Sequence, residues 1–293
     1  ACLGVTWIIT NQFACCKGVC GYSQRNTYSW ICKQDNIMTY HAFRQRGAYG
    51  NRIPGKIDPK VPSPFDPLAI SNMSLWLDFS DATTLFTDAG STLVSSDGDA
   101  IYQANDKSGE GNNALQTTSS YRPLYKTGIK NGLSSCLFDN SDDYLFLSGT
   151  KFGAEATLFA VFSRNGSGIV ISNRTAATPI NLELYDDTYV EFNSRDDAGH
   201  LRLCNTTQTN GFLVLCGIKD VSNNRIYINN SLKDTSTTRT LGTITAPDTY
   251  IGASYSGANY GSYISELIVY DKAVSSDEMV SMFTFLNSKW SIY

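Results

Sequence analysis

Between Leu75 and Tyr270 the sequence is cut into short runs in which apolar and polar residues alternate, and this period of two narrows the available folds more than any other feature. Residues two apart on an extended chain share a face, so each run can bury one side and expose the other. Strands are expected at Leu75 to Phe79, Ser135 to Phe138, Tyr144 to Leu147, Thr157 to Phe162, Gly168 to Ser172 and Asn181 to Tyr185. They continue at Tyr189 to Asn193, Leu201 to Cys204, Phe212 to Ile218, Arg225 to Ile228, Tyr250 to Ala253 and Tyr263 to Tyr270. Turn-forming pairs such as Asp186-Asp187, Asn210-Gly211 and Asn229-Asn230 lie between them. So many short strands in one stretch fit an all-β sandwich of two sheets.

Composition agrees, since only 17% of residues are charged and Gly, Ser, Thr, Asn and Tyr are abundant, which suits strands and turns rather than a helical bundle. No apolar run is long enough for a membrane-spanning helix, so membrane insertion is not expected. One helix is expected at the end. Ser275 precedes Glu278 by three residues, the spacing of a capping box, and Met279, Met282, Phe283, Leu286 and Trp290 then recur at helical spacing. That single apolar face is expected to pack on the sandwich.

The stretch RIPGKIDPKVPSPFDP, Arg52 to Pro67, holds five prolines and reads as a linker, placing a domain boundary near Asp66. Residues 67–293 form the sandwich in this reading, and residues 1–66 an arm and linker. Periodicity in the arm is weak, so it is expected to be irregular and to order against a partner. Residues 1–60 carry eight Lys or Arg against two acids, a balance of +6, whereas the remainder balances at −10. The basic residues are scattered rather than run together, which favours an acidic protein neighbour over nucleic acid.

Five of the eight cysteines, Cys2, Cys15, Cys16, Cys20 and Cys32, fall in the arm, but without the paired knuckles that mark a zinc site. Cys204 and Cys216 flank the Asn210-Gly211 turn, where packed thiols are preferred to a bridge. No export signal is read at the N-terminus, so a reducing compartment is expected for folding.

A family becomes visible in the order of several motifs. Leu75-Trp76-Leu77-Asp78, then Asn105 to Ala114 (NDKSGEGNNA), Tyr121-Arg122-Pro123 and Phe138 to Leu145 (FDNSDDYL) occur in sequence. Tyr250-Ile251-Gly252, Ile264 to Asp271 (ISELIVYD) and Lys289-Trp290 close the series. Together they resemble laminin-G-type concanavalin A-like jelly-roll domains, as found in tailed-phage virion structural proteins. The departures are Ala104 in place of a frequent tryptophan and Asn140 in place of a turn glycine. The resemblance assigns structural roles to Trp76, Asp78, Asp106, Ser108, Gly109, Asn112, Asp142, Asp143, Glu266 and Trp290.

Asp106, Ser108, Gly109, Asn112 and Asn113 invite comparison with a calcium loop, as do Asp97 with Asp99 and Asp139 with Asp142 and Asp143. None has the fixed ligand spacing of an EF-hand, and turn capping is the preferred account. No cofactor and no metal are expected. Glycoside cleavage needs two carboxylates flanking the scissile bond. Glu183 and Glu191, on neighbouring strands with Asp186 and Asp187 between, are the nearest approach, and no catalytic residue is assigned. His41 and His200 are too few and too separated for a triad or a histidine-rich metal site.

The loop Ser254 to Gly261 is rich in tyrosine and small polar residues that can stack on sugar rings and bond hydroxyls. Tyr255, Asn259 and Tyr260 are therefore candidate glycan contacts, joined by Tyr185, Tyr189 and Arg195 if these face the same side. The resemblance implies a non-enzymatic virion component, a capsid decoration or tail-fibre protein assembled in the host cytoplasm and exposed on the particle. Its arm would bind other virion proteins, its assembly would be oligomeric, and its jelly-roll would face host glycans. A secreted or surface lectin, and a glycoside hydrolase of the same fold, are the alternatives.

Overall fold

The computed structural model describes residues 20–23, 27–34, 37–44, 65–149, 152–164, 168–173, 182–186, 188–195, 201–202, 205–236, 248–254 and 259–293. For 20–44, and for 182, 195, 201 and 202, the description is of the backbone alone. The chain separates into two compact units, residues 1–64 and 65–293.

In the first unit Cys20–Ser23, Thr27–Gln34 and Ile37–Arg44 form a three-stranded antiparallel sheet. The arm was expected to be irregular, and these residues correct that. Gln34 pairs with Ile37, so only Asp35 and Asn36 separate two eight-residue strands, the spacing of a tight hairpin. Cys20 and Cys32 lie on these strands, whereas Cys2, Cys15 and Cys16 lie outside the described residues.

The second unit is a sandwich of two antiparallel sheets with one C-terminal helix, the fold class that the alternating runs imply. The first sheet has ten strands. Its order is Leu201–Arg202, Val190–Arg195, Leu182–Asp186, Ile169–Ser172, Asp248–Ile251, Leu145–Ser148, Ala114–Leu115, Gln103–Ala104 and Leu85–Phe86, with Asn205–Thr206 also on Val190–Arg195. The second has eight, in the order Ser231–Ser236, Asn224–Ile228, Gly211–Lys219, Ala156–Arg164, Tyr263–Tyr270, Leu133–Leu137 and Leu124–Lys130. Met73–Asp78 pairs with the C-terminal half of Tyr263–Tyr270, and Leu133–Leu137 with its start.

The eight-stranded sheet is covered on both faces. Leu158, Ala160 and Phe162 turn toward the other sheet, joining Leu75, Leu77, Leu215, Leu267 and Val269 in the inter-sheet core. Phe159 and Val161, the intervening residues, enter a second cluster with Trp76, Val214, Ile268, Tyr270 and the helix. A strand buried on both sides needs no polar alternation, which is why Ala156–Arg164 reads as nearly continuous apolar sequence. The sheets approach so closely that a Cβ on Gly217 would lie 2.4 Å from the Phe192 ring.

Helix Ser276–Trp290 begins with the expected capping box, the Glu278 amide donating to Ser275 Oγ at 3.3 Å and the Ser275 amide to Glu278 Oε2 at 2.8 Å. Its buried residues are Met279, Met282, Phe283, Leu286 and Trp290. No helix among the described residues is long and apolar enough to cross a membrane.

Candidate functional site

The motif residues converge in two places. Asp106 is a knot for its own loop: Oδ1 accepts from the amides of Trp76 and Ser108, each at 2.9 Å, and Oδ2 accepts from Ser108 Oγ at 2.6 Å and the Asn112 amide at 2.9 Å. Asn112 Nδ2 reaches Ser74 O at 2.7 Å, which ties the loop to Met73–Asp78. Gly109 sits at φ 92, a left-handed turn position open to glycine. Hydrogen bonds from four donors thus occupy the carboxylate considered for calcium.

The second convergence is ionic. Glu266, 1% exposed, accepts from Trp76 Nε1 at 2.9 Å and from Trp290 Nε1 at 2.7 Å. Lys289 Nζ lies 2.9 Å from Glu266 Oε2 and 2.7 Å from Asp78 Oδ1, and Lys107 Nζ joins Asp78 to Asp81 at 3.0 and 2.9 Å. Burial, then Asp78, pushes the Glu266 carboxyl up, with Lys289 opposing. Burial would raise Asp78 too, but Lys289, Ser80 and Lys107 together hold it below the usual carboxylate range. Motifs far apart in sequence therefore meet in one clasp between the helix and the sheet.

Asp139, Asp142 and Asp143 hold their carboxylates within 4.8 Å of one another. Asp139 Oδ1 accepts from the amides of Ser141, Asp142 and Asp143 at 2.8, 3.3 and 3.4 Å, and Asp143 Oδ2 from the Asp139 amide at 3.1 Å. Asn140, at φ 66, makes the left-handed turn usually given to glycine. Burial and then Asp139 push the Asp143 carboxyl up to about 7. Its folded pKa lies above the ordinary 3.8, so between these values the folded chain binds more protons than the unfolded one, and stability falls as pH rises through that window. Asp143→Asn is expected to flatten this fall and to be more stable than the parent at pH 8, on the order of 2 kcal/mol by thermal or urea unfolding. An unchanged pH slope would contradict it. Asp97 forms an ion pair with Lys126 and accepts from the Thr127 amide, while Asp99 Oδ2 accepts from the amides of Ser95 and Ser96 at 2.7 and 2.8 Å.

Among the described residues the candidate glycan contacts stand in different settings. Tyr260 is fully buried, its hydroxyl donating to Ser163 O at 2.6 Å and its ring packed on Phe138 and Phe162, so it is a core residue rather than a sugar platform. Asn259 Nδ2 donates to Ser141 O and fastens two loops together. Tyr189 is 41% exposed. Tyr185 is half-buried beside Glu191, its register partner. Tyr255 and the Arg195 side chain lie outside the described residues, as do His200, Cys204 and Asp187. Asp186 is drawn into an ion pair with Arg164 at 3.0 Å. Cys216 is buried beneath the helix, and Cys136 in the inter-sheet core.

A different face draws the eye to the ten-stranded sheet. Registered pairs run straight across it: Gln103 with Leu115, Leu115 with Phe146, Phe146 with Tyr250, Tyr250 with Ser172, Ser172 with Glu183, and Glu183 with Asn193. Paired residues share a face, and their chain neighbours Ala104, Ala114, Leu145, Leu147, Ile251, Ile171, Leu184 and Phe192 are all in the inter-sheet core. The row therefore points away from the core. Strands are spaced about 4.8 Å apart, so from Gln103 to Asn193 it spans roughly 30 Å.

One half of the row is aromatic and half-buried. The Phe146 and Tyr250 rings meet at 5.4 Å, Tyr250 and Tyr144 at 5.9 Å, and Tyr144 and Tyr121 at 6.0 Å. Burial, then Asp248 and Tyr144, raises the Tyr250 hydroxyl above its usual range and keeps it a neutral donor. The other half is polar and buried: Ser172 Oγ donates to Glu183 Oε1 at 2.8 Å, and Asn193 Nδ2 to Glu191 Oε2 at 3.1 Å. Tyr144 and Phe146 alternate with Leu145 and Leu147, which lie in the inter-sheet core, so the two aromatics fall on the opposite face.

The fold is a jelly-roll sandwich of two antiparallel sheets with one C-terminal helix. Among solved structures it is similar to the binding domain of Paraclostridial Mosquitocidal Protein 1, at 15% identity over 76% of this chain and 53% of that one, with a TM-score of 0.53. It is similar also to domain 4 of AbnA, an extracellular arabinanase of Geobacillus stearothermophilus solved with arabinotriose, at 11% identity over 72% of this chain and 98% of that one, TM-score 0.53. A third is the botulinum neurotoxin serotype D ligand-binding domain solved with N-acetylneuraminic acid, at 13% identity, 75% and 52% coverage and TM-score 0.50. The match spans about half the length of each toxin domain. At these identities the likeness is one of fold. No family model matches the sequence, and no curated protein does.

Proposed function

We propose that the sandwich binds carbohydrate without cleaving it, along the outward row of the ten-stranded sheet, and that the chain serves as a surface component of a virion. The observation that carries the first part is the aromatic half of that row, Phe146 and Tyr250 flanked by Tyr144, half-buried on the face turned away from the core. Ring faces supply apolar contact to the C–H faces of a sugar, while hydroxyls and amides set its orientation. A straight row suits a chain-shaped glycan. Domains of the same fold crystallised with arabinotriose and with N-acetylneuraminic acid are compatible with this use, though it rests on the face itself. The virion role is supported by the motif order from Leu75 to Trp290 and by the basic balance of residues 1–60 against the acidic remainder.

The test is a panel of neutral and acidic oligosaccharides presented to the full chain. Binding is expected, with Tyr250→Ala and Phe146→Ala each weakening it about tenfold, an effect near 1.4 kcal/mol. Val280→Ser, on the 45% exposed outer face of the helix, serves as control. Retention of every glycan by both aromatic variants, or release of shortened products that Glu183→Gln or Glu191→Gln abolishes, would refute non-cleaving binding at this row. In the same preparation a chain lacking residues 1–60 is expected to bind sugar yet fail to enter particles.

A further inference from the structure

The turn from Asp139 to Asp143 carries the chain from Leu133–Leu137 in the eight-stranded sheet to Leu145–Ser148 in the ten-stranded sheet. It is fastened on two sides. Toward the segment before Tyr263–Tyr270, the Asn140 amide donates to Tyr260 O at 2.9 Å, the Phe138 amide to Ser262 O at 3.0 Å, and Asn259 Nδ2 to Ser141 O. A Cβ on Gly261 would lie 2.5 Å from the Asn140 Cβ, so the two loops meet without slack. Toward the outward row, the Tyr144 amide donates to Tyr121 O and Gln116 Nε2 to Tyr144 O, each at 3.1 Å. Tyr144 in turn stacks between Tyr121 and Tyr250. Whatever disturbs this turn is therefore felt both at residues 259–262 and at the aromatic half of the row.

The turn holds its own source of disturbance. Its three carboxylates lie within 4.8 Å of one another, and none of the ion pairs among the described residues includes any of them. Asp143 is 5% exposed and faces Asp139 and Asp142 along the turn and the buried Cys136 thiol from Leu133–Leu137, while Gln116, Tyr121, Asn259 and Tyr260 bring no charge. Like charges at this spacing repel, and burial adds the cost of desolvation, so the closed turn favours a proton on its covered member. We propose that the turn is an acid-closed latch: with Asp143 protonated it fastens residues 259–262 and Tyr144 in place, and with all three carboxylates charged it releases both. The direction follows from where the proton is held. The closed turn keeps it up to about 7, whereas an opened turn meets water and loses it near the ordinary 3.8. Between these values each pH unit favours opening by up to about tenfold, and above them the preference levels off.

The experiment is amide hydrogen exchange of the full chain at pH 5 and pH 7.5, each rate divided by the intrinsic rate at that pH, with no sugar present. Protection across 138–144 and across 259–262 is expected to fall together, by about tenfold or more, while Ala156–Arg164 keeps its protection at both values. Asp143→Asn, which keeps the shape and removes the titration, should stay protected at both. Asp142→Asn, which removes one of the two neighbouring charges, should fold with a smaller fall, and it gives a second reading if Asp143→Asn does not fold. Equal protection of the parent turn at both pH values overturns the latch. So does an undiminished fall in folded Asp143→Asn or in Asp142→Asn, a fall in the turn that 259–262 does not share, or an equal fall in Ala156–Arg164, which would make the loss global. That the latch regulates the outward row rests on the carbohydrate reading, but the exchange measurement uses no sugar, so either can fail without the other.

Discussion

Lys289→Met is expected to destabilise the sandwich by about 3–5 kcal/mol, the range seen when one partner of a buried ion pair is removed and the other stays charged. Lys289 touches both Glu266 Oε2 and Asp78 Oδ1, and its loss leaves Glu266, 1% exposed, with only two indole donors against its charge. Lys107→Met should cost less, because Asp78 keeps Lys289 and Lys107 itself is 26% exposed at the side chain. Glu266→Gln is not a neutral repair. Its amide group would turn a donor toward either Trp76 Nε1 or Trp290 Nε1, both of which are donors themselves. Urea unfolding of the three variants should rank Lys289→Met and Glu266→Gln well below Lys107→Met. Equal midpoints for Lys289→Met and Lys107→Met would show that the clasp does not hold the helix end.

That clasp also shows what a linear reading can and cannot reach. Trp76, Asp78, Glu266 and Trp290 were legible as recurring motif positions, and the strands carrying them were legible from alternation. Their reason for being together was not, because Asp78 and Glu266 become neighbours only when Met73–Asp78 pairs with Tyr263–Tyr270. The two-residue strands Leu85–Phe86, Gln103–Ala104 and Ala114–Leu115 escaped for another reason, since two residues cannot display a period. Ser231–Ser236 is a mostly exposed edge strand with no apolar face to betray it.

The site was harder to read than the fold. Tyrosine in the loop before Ser262 suggested a sugar platform, but a tyrosine followed by a small residue and a strand is equally a plug, and Tyr260 fills the core. The row from Gln103 to Asn193 is assembled from six strand pairings scattered along the chain, and register is what sequence encodes least directly. Glu183 and Glu191 were visible as an acid pair and weighed only for hydrolysis.

The helix offers the second large effect. Phe283 is fully buried, its ring edge-on to Phe159 at 5.9 Å, and Leu286 is 1% exposed in the same cluster. Phe283→Ala should cost about 3–5 kcal/mol and Leu286→Ala about 2–5, a large part of the 5–15 kcal/mol that holds a domain together. Two polar positions nearby are not equivalent controls. Ser281 Oγ only returns to Asp277 O at 2.8 Å, a local bond on an exposed turn, so Ser281→Ala should change little. Asn287 looks just as innocent by helical spacing, yet its Oδ1 accepts from the amides of Ile292 and Tyr293 at 2.9 and 3.0 Å, and its Nδ2 donates to Tyr293 O at 2.6 Å. It therefore secures the chain after the helix. Asn287→Ala should lose about 1 kcal/mol, between Ser281→Ala and the two core truncations. If Phe283→Ala and Ser281→Ala melt together, the helix is not docked through Phe159 and the covered face of the eight-stranded sheet needs another account.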